Sequence, residues 1–292
     1  MIGLMTHGSR DALRALALQH LSPELADKWV GLLRPGVRLE ASADPGDGVG
    51  RLGGLPSLPV DTEWPVWDGH GPLSFIASID CARLPTDALV IDLPDAGTLL
   101  FFYFDGQLDD GEALVLAEDR ESRAGARVLY VAADEKVAEC GTPAGLEPYP
   151  VAPLTAREEM TATEPWHPLM RDAFAPGAPL GNRYDHPVCS PEFLDALWEF
   201  DHGVGHQIGG HAHSVQNPVE IEIAEAVLDG EVSWGDARLS EEAGRWVLLA
   251  QFDSEVAADM MWGDAGALYW LIRPEDLAER RFERAMFTWQ CG

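Results

Sequence analysis

At 292 residues, with 46% hydrophobic and 24% charged side chains, the chain has the composition of a globular protein with a sizeable core, in one large domain or two ordinary ones. Its 20 Lys and Arg stand against 49 Asp and Glu, a formal net charge of −29. That field repels phosphate backbones and anionic lipid surfaces, and no basic patch offsets it, so no nucleic-acid or membrane partner is expected. A basic partner would be drawn in.

The opening "MIGLMTHGSRDALRALALQH" lacks the basic, apolar and small-residue succession of a signal peptide. No apolar run approaches the roughly 20 residues that span a bilayer. Cys81, Cys140, Cys189 and Cys291 are scattered without a C-x-x-C, which fits reduced thiols in a cytoplasm.

Two helices are predicted first. Ser9 caps one, with Leu13, Leu16 and Ala17 at helical spacing; Ser22-Pro23 starts the next, with Leu25, Trp29, Leu32 and Leu33 on one face and Pro35-Gly36 as the stop. From there the apolar period falls toward two, predicting strands at about 37–42, 73–80, 98–104, 112–117 and 126–132. Residues 134–190, rich in Pro, Gly and small polar side chains, read as a long irregular connection. A helix capped by Ser190 runs through "PEFLDALWEF" toward Gly203; strands follow at 219–223, 246–253, 267–272 and 284–289, with a short helix at "RPEDLAERR".

Three segments recur in order. "RLGGLPSLP" at 51–59 is matched by "QIGGHAHSV" at 207–215, "FIASID" at 75–80 by "LLAQFD" at 248–253, and "DAGTLLFFYF" at 95–104 by "DAGALYWLIR" at 264–273. Each has a mechanical meaning: a double glycine where φ is positive or backbones approach closely, a buried strand ending in Asp, and an Asp-x-Gly turn feeding another strand. The expected fold is therefore α+β and internally duplicated. Residues 1–40 form an N-terminal helical pair; 41–292 form one domain with pseudo-repeats about 45–133 and 200–290, each a mainly antiparallel half-sheet.

The second copy carries added histidines in "HGVGHQIGGHAHS". His211 and His213, two apart in an extended segment, point to one side and, with His206, are the candidate metal ligands. His202, at the predicted helix end, is explained by the helix dipole. "GVGHQIG" imitates a dinucleotide-binding pattern but has a helix before it where a strand is required, so no cofactor is implied.

The set "RLGGLPSLP" with Trp64-Pro65 behind it, "PLSFIASID", "HQIGG" followed by Gln216, "LLAQFDS" and "MWGDAGALYWLIRPEDL" resembles the YwqG-like family, a bacterial domain of unknown function. The resemblance runs from about residue 45 to the C-terminus. It implies a compact cytoplasmic α+β protein with internal duplication and no established reaction. The chain departs from the family pattern at His211 and His213, where an aromatic residue and proline often follow the glycines.

Trp262-Gly263-Asp264 reads either as an aromatic wall with a polar contact in a cleft or, preferred, as a core plug before an Asx turn. Glu220 and Glu222 alternate with Ile221 and Ile223, which predicts the wet face of a strand. Most tryptophans, Trp29, Trp198 and Trp270 among them, fall at apolar-periodic positions and read as core. If the half-sheets meet at a pseudo-twofold axis, Glu63, Trp64, His206, Gln216, Gln251 and Asp253 converge on one groove, joined by Trp262 and Asp264 as a ligand site. No G-x-S-x-G elbow, H-E-x-x-H or partnered Cys marks a catalytic centre. These features point to an acidic binding protein for an unknown protein or small-molecule ligand, a basic one among the candidates; the alternative is a hydrolase or metal-dependent enzyme using the His-rich groove.

Overall fold

The computed structural model describes residues 8–43, 46, 48–86, 89–178, 185–200, 203–229, 232–234 and 236–292. Side-chain caps start its first helices. The Ser9 hydroxyl accepts the Ala12 N–H of α1 (Arg10–His20), and Ser22 accepts the Leu25 N–H of α2 (Pro23–Val30), where Pro23 has no N–H to leave unpaired. His167 caps α3 (Pro168–Phe174), its Nδ1 accepting the Leu169 N–H at 3.1 Å. Ser190 does the same for α4 (Pro191–Phe200), accepting the Phe193 N–H at 3.3 Å. Phe193 meets Trp29 edge-on at 5.3 Å, and with Leu13, Ala17, Ala26, Met170 and Val188 they make a second core, separate from that of the main sheet.

Ten strands form one sheet: β1 (Arg34–Ala41), β2 (Gly50–Leu52), β3 (Ser74–Asp80), β4 (Thr98–Tyr103), β5 (Ala126–Val131), β6 (Ala152–Thr161), β7 (His206–Gly209), β8 (Val247–Asp253), β9 (Ala267–Ile272) and β10 (Met286–Gln290). The order is β10-β9-β8-β7-β1-β6-β2-β3-β4-β5, and every pairing is antiparallel. At the centre β1 pairs with β6, with Glu40 opposite Thr155 and, on either side, Leu39 opposite Ala156 and Ala41 opposite Leu154. Outward from there the two arms carry the same features. Leu52 pairs with Ala77 and Ala77 with Phe101; Ile208 pairs with Ala250 and Ala250 with Trp270. A bulge falls between Phe75 and Ala77 in one arm and between Leu248 and Ala250 in the other. Gly53 and Gly54 have φ of +62° and +75°, Gly209 and Gly210 +63° and +74°. These are left-handed values that favour glycine. The sheet curls until it is nearly closed, which brings Phe101 against Trp270 at 5.3 Å and Tyr103 against Phe287 at 4.9 Å across the main core.

Three predicted elements are corrected. Residues 219–223 belong to a helix, α5 (Val219–Val227), followed by α6 (Ala237–Ala243). Val219, Ile223 and Ala226 pack toward the sheet while Ile221 and Ala224 pack on Leu239 and Ala243 of α6. A helix buried on two faces reads locally as alternation. Residues 112–117 are not a strand, because side chains take their backbone groups: Asp109 accepts the Ala113 N–H at 2.9 Å and Ser122 the Leu116 N–H at 2.9 Å. The 134–190 stretch holds β6, at the middle of the sheet, as well as α3. The polar run Arg157-Glu158-Glu159 hides it, and Arg157 is held in place by Glu40 at 3.0 Å and Glu159 at 3.3 Å. The "RPEDL" helix, α7 (Pro274–Ala278), is where the spacing placed it. His202 lies outside the described residues.

Candidate functional site

The His-rich segment is a strand followed by a loop, and three glutamines clamp them, one from the strand itself and two from other strands of the sheet. Gln207 of β7 donates to the carbonyls of Gly209 and His211 at 2.6 and 2.8 Å. Gln251 of β8, fully buried, donates to the Gly205 carbonyl at 2.8 Å and accepts the His213 N–H at 2.9 Å. Gln290 of β10 accepts the Gln216 N–H at 2.9 Å and donates to the Asn217 carbonyl at 2.7 Å. Buried amides of this kind fix a loop because each unmade bond would be expensive.

Successive residues of a strand point to opposite faces, so His206 and Gln207 open onto different clefts. The first cleft, about 570 Å³, is polar, lined by Arg38, Glu40, His206, Asp253 and Glu255 among others. Its charges are already engaged. The Arg38 guanidinium donates to the Gly203 carbonyl at 3.1 Å, and His206 Nδ1 accepts the Asp253 N–H at 3.1 Å. That bond leaves the proton of neutral His206 on Nε2, facing Glu255 Oε2 at 3.4 Å, while burial lowers the imidazole's pKa despite Glu255. With its lone pair committed to backbone, His206 is poorly placed to act as a base or a metal ligand. Burial raises the pKa of Asp253 in the same cleft.

The second cleft, about 480 Å³, lies between α4 and the loop. The end of β6 and Glu164-Pro165-Trp166 form its base, Leu194, Leu197 and Trp198 one wall, and His211, His213 and Gln216 the other. His211 is 3% exposed; its N–H goes to Thr161 Oγ1 at 2.7 Å and its Nε2 lies 2.8 Å from the Leu32 carbonyl. Burial lowers its pKa to about 4, so the ring is neutral near pH 7. Two carboxyls lie near it, the buried Glu220 and the half-buried Glu164. Glu220 is 3.5 Å from His167 Nε2; burial raises its pKa, but hydrogen bonding and charge from His167 outweigh that and hold it low. Glu164, which lines the cleft, accepts the Ser214 N–H at 3.3 Å and the Thr163 hydroxyl at 3.2 Å, and burial keeps its pKa raised.

The predicted site residues thus divide. His206 and Asp253 line the polar cleft; His211, His213 and Gln216 line the other; Gln251 braces the loop between them. Trp262 is 5% exposed, packs edge-on to Tyr103 at 5.9 Å and donates its indole N–H to the Asp253 carbonyl, so it plugs the core. Asp264 is exposed, and Ser254 closes the turn beside it by accepting the Trp262 N–H and donating to the Gly266 carbonyl. Trp64 belongs to the other arm, edge-on to Phe102 at 5.6 Å with its N–H on the Leu73 carbonyl; Glu63 beside it is exposed. Glu220, buried, and Glu222, half-buried, are network members on α5 rather than a wet strand face: Glu222 accepts from Thr288 at 2.9 Å and Gln290 at 2.7 Å.

Sequence reasoning missed Glu164, Trp166 and His167, which fall in the stretch taken for a connection; "TEPWHP" is their only local signal. It also took Trp198 for core, whereas that side chain is 79% exposed at the cleft. Among the described residues no group of three or more His, Cys, Asp or Glu is arranged to hold a metal ion, and no helix is long and apolar enough to cross a membrane. The four cysteines are free, and burial, with Asp80 beside it, pushes the Cys81 thiol up to about 12, away from a nucleophile.

No curated protein matches the chain. A family profile, described as a domain of unknown function, DUF1963, matches residues 50–291, a span that takes in both clefts except for the lining residues that lie before residue 50. The chain belongs to the DUF1963 family.

Proposed function

We propose that the protein is a non-enzymatic binding protein whose small-molecule ligand occupies the cleft between α4 and the 211–216 loop. The observation that carries this is the make-up of that cleft: an apolar and aromatic wall from Leu194, Leu197 and Trp198 facing a few convergent polar groups, Glu164 and His211 above all. Ligand sites generally pair such walls with a small number of placed polar groups. In the polar cleft the charged side chains are already engaged: Arg38 by the Gly203 and Val204 carbonyls, Glu40 by Arg157, Asp253 by the Ser254 N–H and Glu255 by His206. A catalytic reading on His206, His211 and His213 draws no support from their placement, since they serve two clefts and the first spends its lone pair on backbone.

In the same reading the chain is internally duplicated, one copy contributing β1 to β5 and the other β6 to β10. The matching bulges, glycine pairs and registers support this, and so does the β1–β6 pair, whose register repeats when the two strands are exchanged. The first strand of each copy then pairs with the second strand of the other, β1 with β7 and β6 with β2. The helix α4 and the histidines are the second copy's additions, so the cleft is present once.

A thermal-shift survey of small metabolites on the wild type and on Trp198→Ala tests the binding reading. Compounds that raise the melting temperature of the wild type and lose that effect in the variant are expected. Stabilisation that is the same in both proteins places the ligand elsewhere, and a survey without stabilisers counts against a small-molecule ligand.

A further inference from the structure

The chemistry lining the α4 cleft specifies more than its location. His211 supplies the first part of the argument. A carbonyl oxygen only accepts, so the 2.8 Å contact with Leu32 places the ring proton on Nε2. Neutral His211 then presents a lone pair at Nδ1, and that atom is buried without a hydrogen-bond partner. Buried acceptors are rarely left so, and what completes this one is a donor.

Glu164 supplies the second. Its two hydrogen bonds come from neutral groups, the Ser214 N–H and the Thr163 hydroxyl, while the nearest imidazole nitrogen of His167, Nε2, lies 3.5 Å from Glu220. Burial keeps the Glu164 pKa raised even though His167 and His213 draw it down, and a positive charge donating hydrogen bonds to the carboxyl favours its ionised form further. The wider lining has the same sign. Glu159 and Asp195 join Glu164, against Arg38, whose guanidinium is engaged by the Gly203 and Val204 carbonyls at 3.1 and 3.5 Å.

Trp198 is the third part. A tryptophan 79% exposed on a helix has no role in the core, yet here it stands at the cleft wall with Leu197 beside it and Trp166 also in the lining. Aromatic faces hold cations and apolar groups alike. An anion would meet Glu164 and Asp195, beside a Glu159 already paired with Arg157, and a neutral molecule would leave Glu164 with its neutral hydrogen bonds alone. A bare metal ion would find carboxylates and imidazoles too far apart to share it, since the described residues offer no three-ligand cluster.

We infer that the ligand of this cleft is a small primary amine: its ammonium group donates to Glu164 and His211 while an aromatic or branched apolar body lies against Trp166, Leu197 and Trp198. This rests on the reading of the cleft as a ligand site. Three probes that share one body separate the contributions in calorimetric titrations at constant pH. They are 2-phenylethylamine, its quaternary trimethylammonium analogue, which keeps the charge without N–H donors, and neutral 2-phenylethanol. The expected order is amine, then quaternary ion, then alcohol, with about tenfold or more between first and last. Glu164→Gln is expected to weaken the amine by about tenfold while leaving the alcohol unchanged. Trp198→Ala, at an exposed position that does not endanger folding, weakens all three. An alcohol that binds as tightly as the amine, or an amine indifferent to Glu164→Gln, overturns the cation assignment and leaves the cleft reading standing. If all three bind but Trp198→Ala changes none of them, the cleft reading falls too; if none binds, both fall.

Discussion

Replacing Glu222 with glutamine removes a charge from a buried network while preserving its shape. The amide oxygen still accepts from Gln290, and the amide nitrogen donates to the Thr288 hydroxyl in place of the bond now running the other way. Burial is the main reason the Glu222 carboxyl is raised from its ordinary 4.5 to about 7; Glu118 and Glu225 add to it, and the Thr288 and Gln290 hydrogen bonds only partly offset it. Between those two values the folded chain holds a proton that the unfolded chain releases. The resulting stability is fully present below pH 4.5 and is lost as pH rises through 7. At 1.36 kcal/mol per unit of pKa difference, the loss amounts to about 3 kcal/mol. Urea unfolding of wild type and Glu222→Gln at a series of pH values from about 4 to 8.5 measures it, with the variant's stability falling by about 3 kcal/mol less than that of the wild type across the range. Parallel curves would refute the assignment, because the stability difference between the two proteins would then not depend on the proton.

Three further outcomes follow from local geometry. His211 has the opposite sign: with its pKa lowered to about 4, the native chain resists a proton that the unfolded chain takes up below 6.5, so stability drops as pH falls from 6.5 toward 4, and His211→Gln flattens that acid limb in the same urea series. Gly53→Ala destabilises more than Gly209→Ala although both have φ near +60°: a Cβ at Gly53 meets the Pro150 carbonyl at 2.3 Å, whereas at Gly209 it meets only the Ile91 and Leu89 side-chain ends at 3.1 Å. Denaturation midpoints should place Gly209→Ala near the roughly 1–2 kcal/mol cost of a left-handed alanine and Gly53→Ala well beyond it. Trp198→Ala, at 79% exposure, should leave stability within about 0.5 kcal/mol of wild type; a larger loss would give Trp198 a structural role and weaken its claim to a ligand.

The residues that announced the fold were those whose chemistry is local. Ser9, Ser22 and Ser190 cap the helices they were expected to cap, and the apolar runs around Ala77, Phe101, Ala250 and Trp270 form the inner strands of both arms. What stayed hidden depends on partners far along the chain. β6 carries Arg157, Glu158 and Glu159 because Glu40, more than a hundred residues earlier, lies beside it. α5 alternates like a strand because the sheet buries one of its faces and α6 another. The site divides in the same way. His211 and His213 were legible as a pair on one side of a loop, but not which groups they face, since Glu164 arrives from the end of β6 and Trp198 from α4. Trp198 sits at a helical apolar spacing, and spacing alone does not distinguish a residue buried in a core from one left at the edge of a cleft.

Hydrogen–deuterium exchange with and without saturating 2-phenylethylamine locates a bound cation without assuming which side chains hold it. The account predicts slowed exchange in 163–166 and 211–216 and at the C-terminal turn of α4, the segments that line the cleft. Slowing confined to Arg38–Ala43 and 253–257, around the polar cleft, or no slowing at an amine concentration that saturates binding, would contradict it.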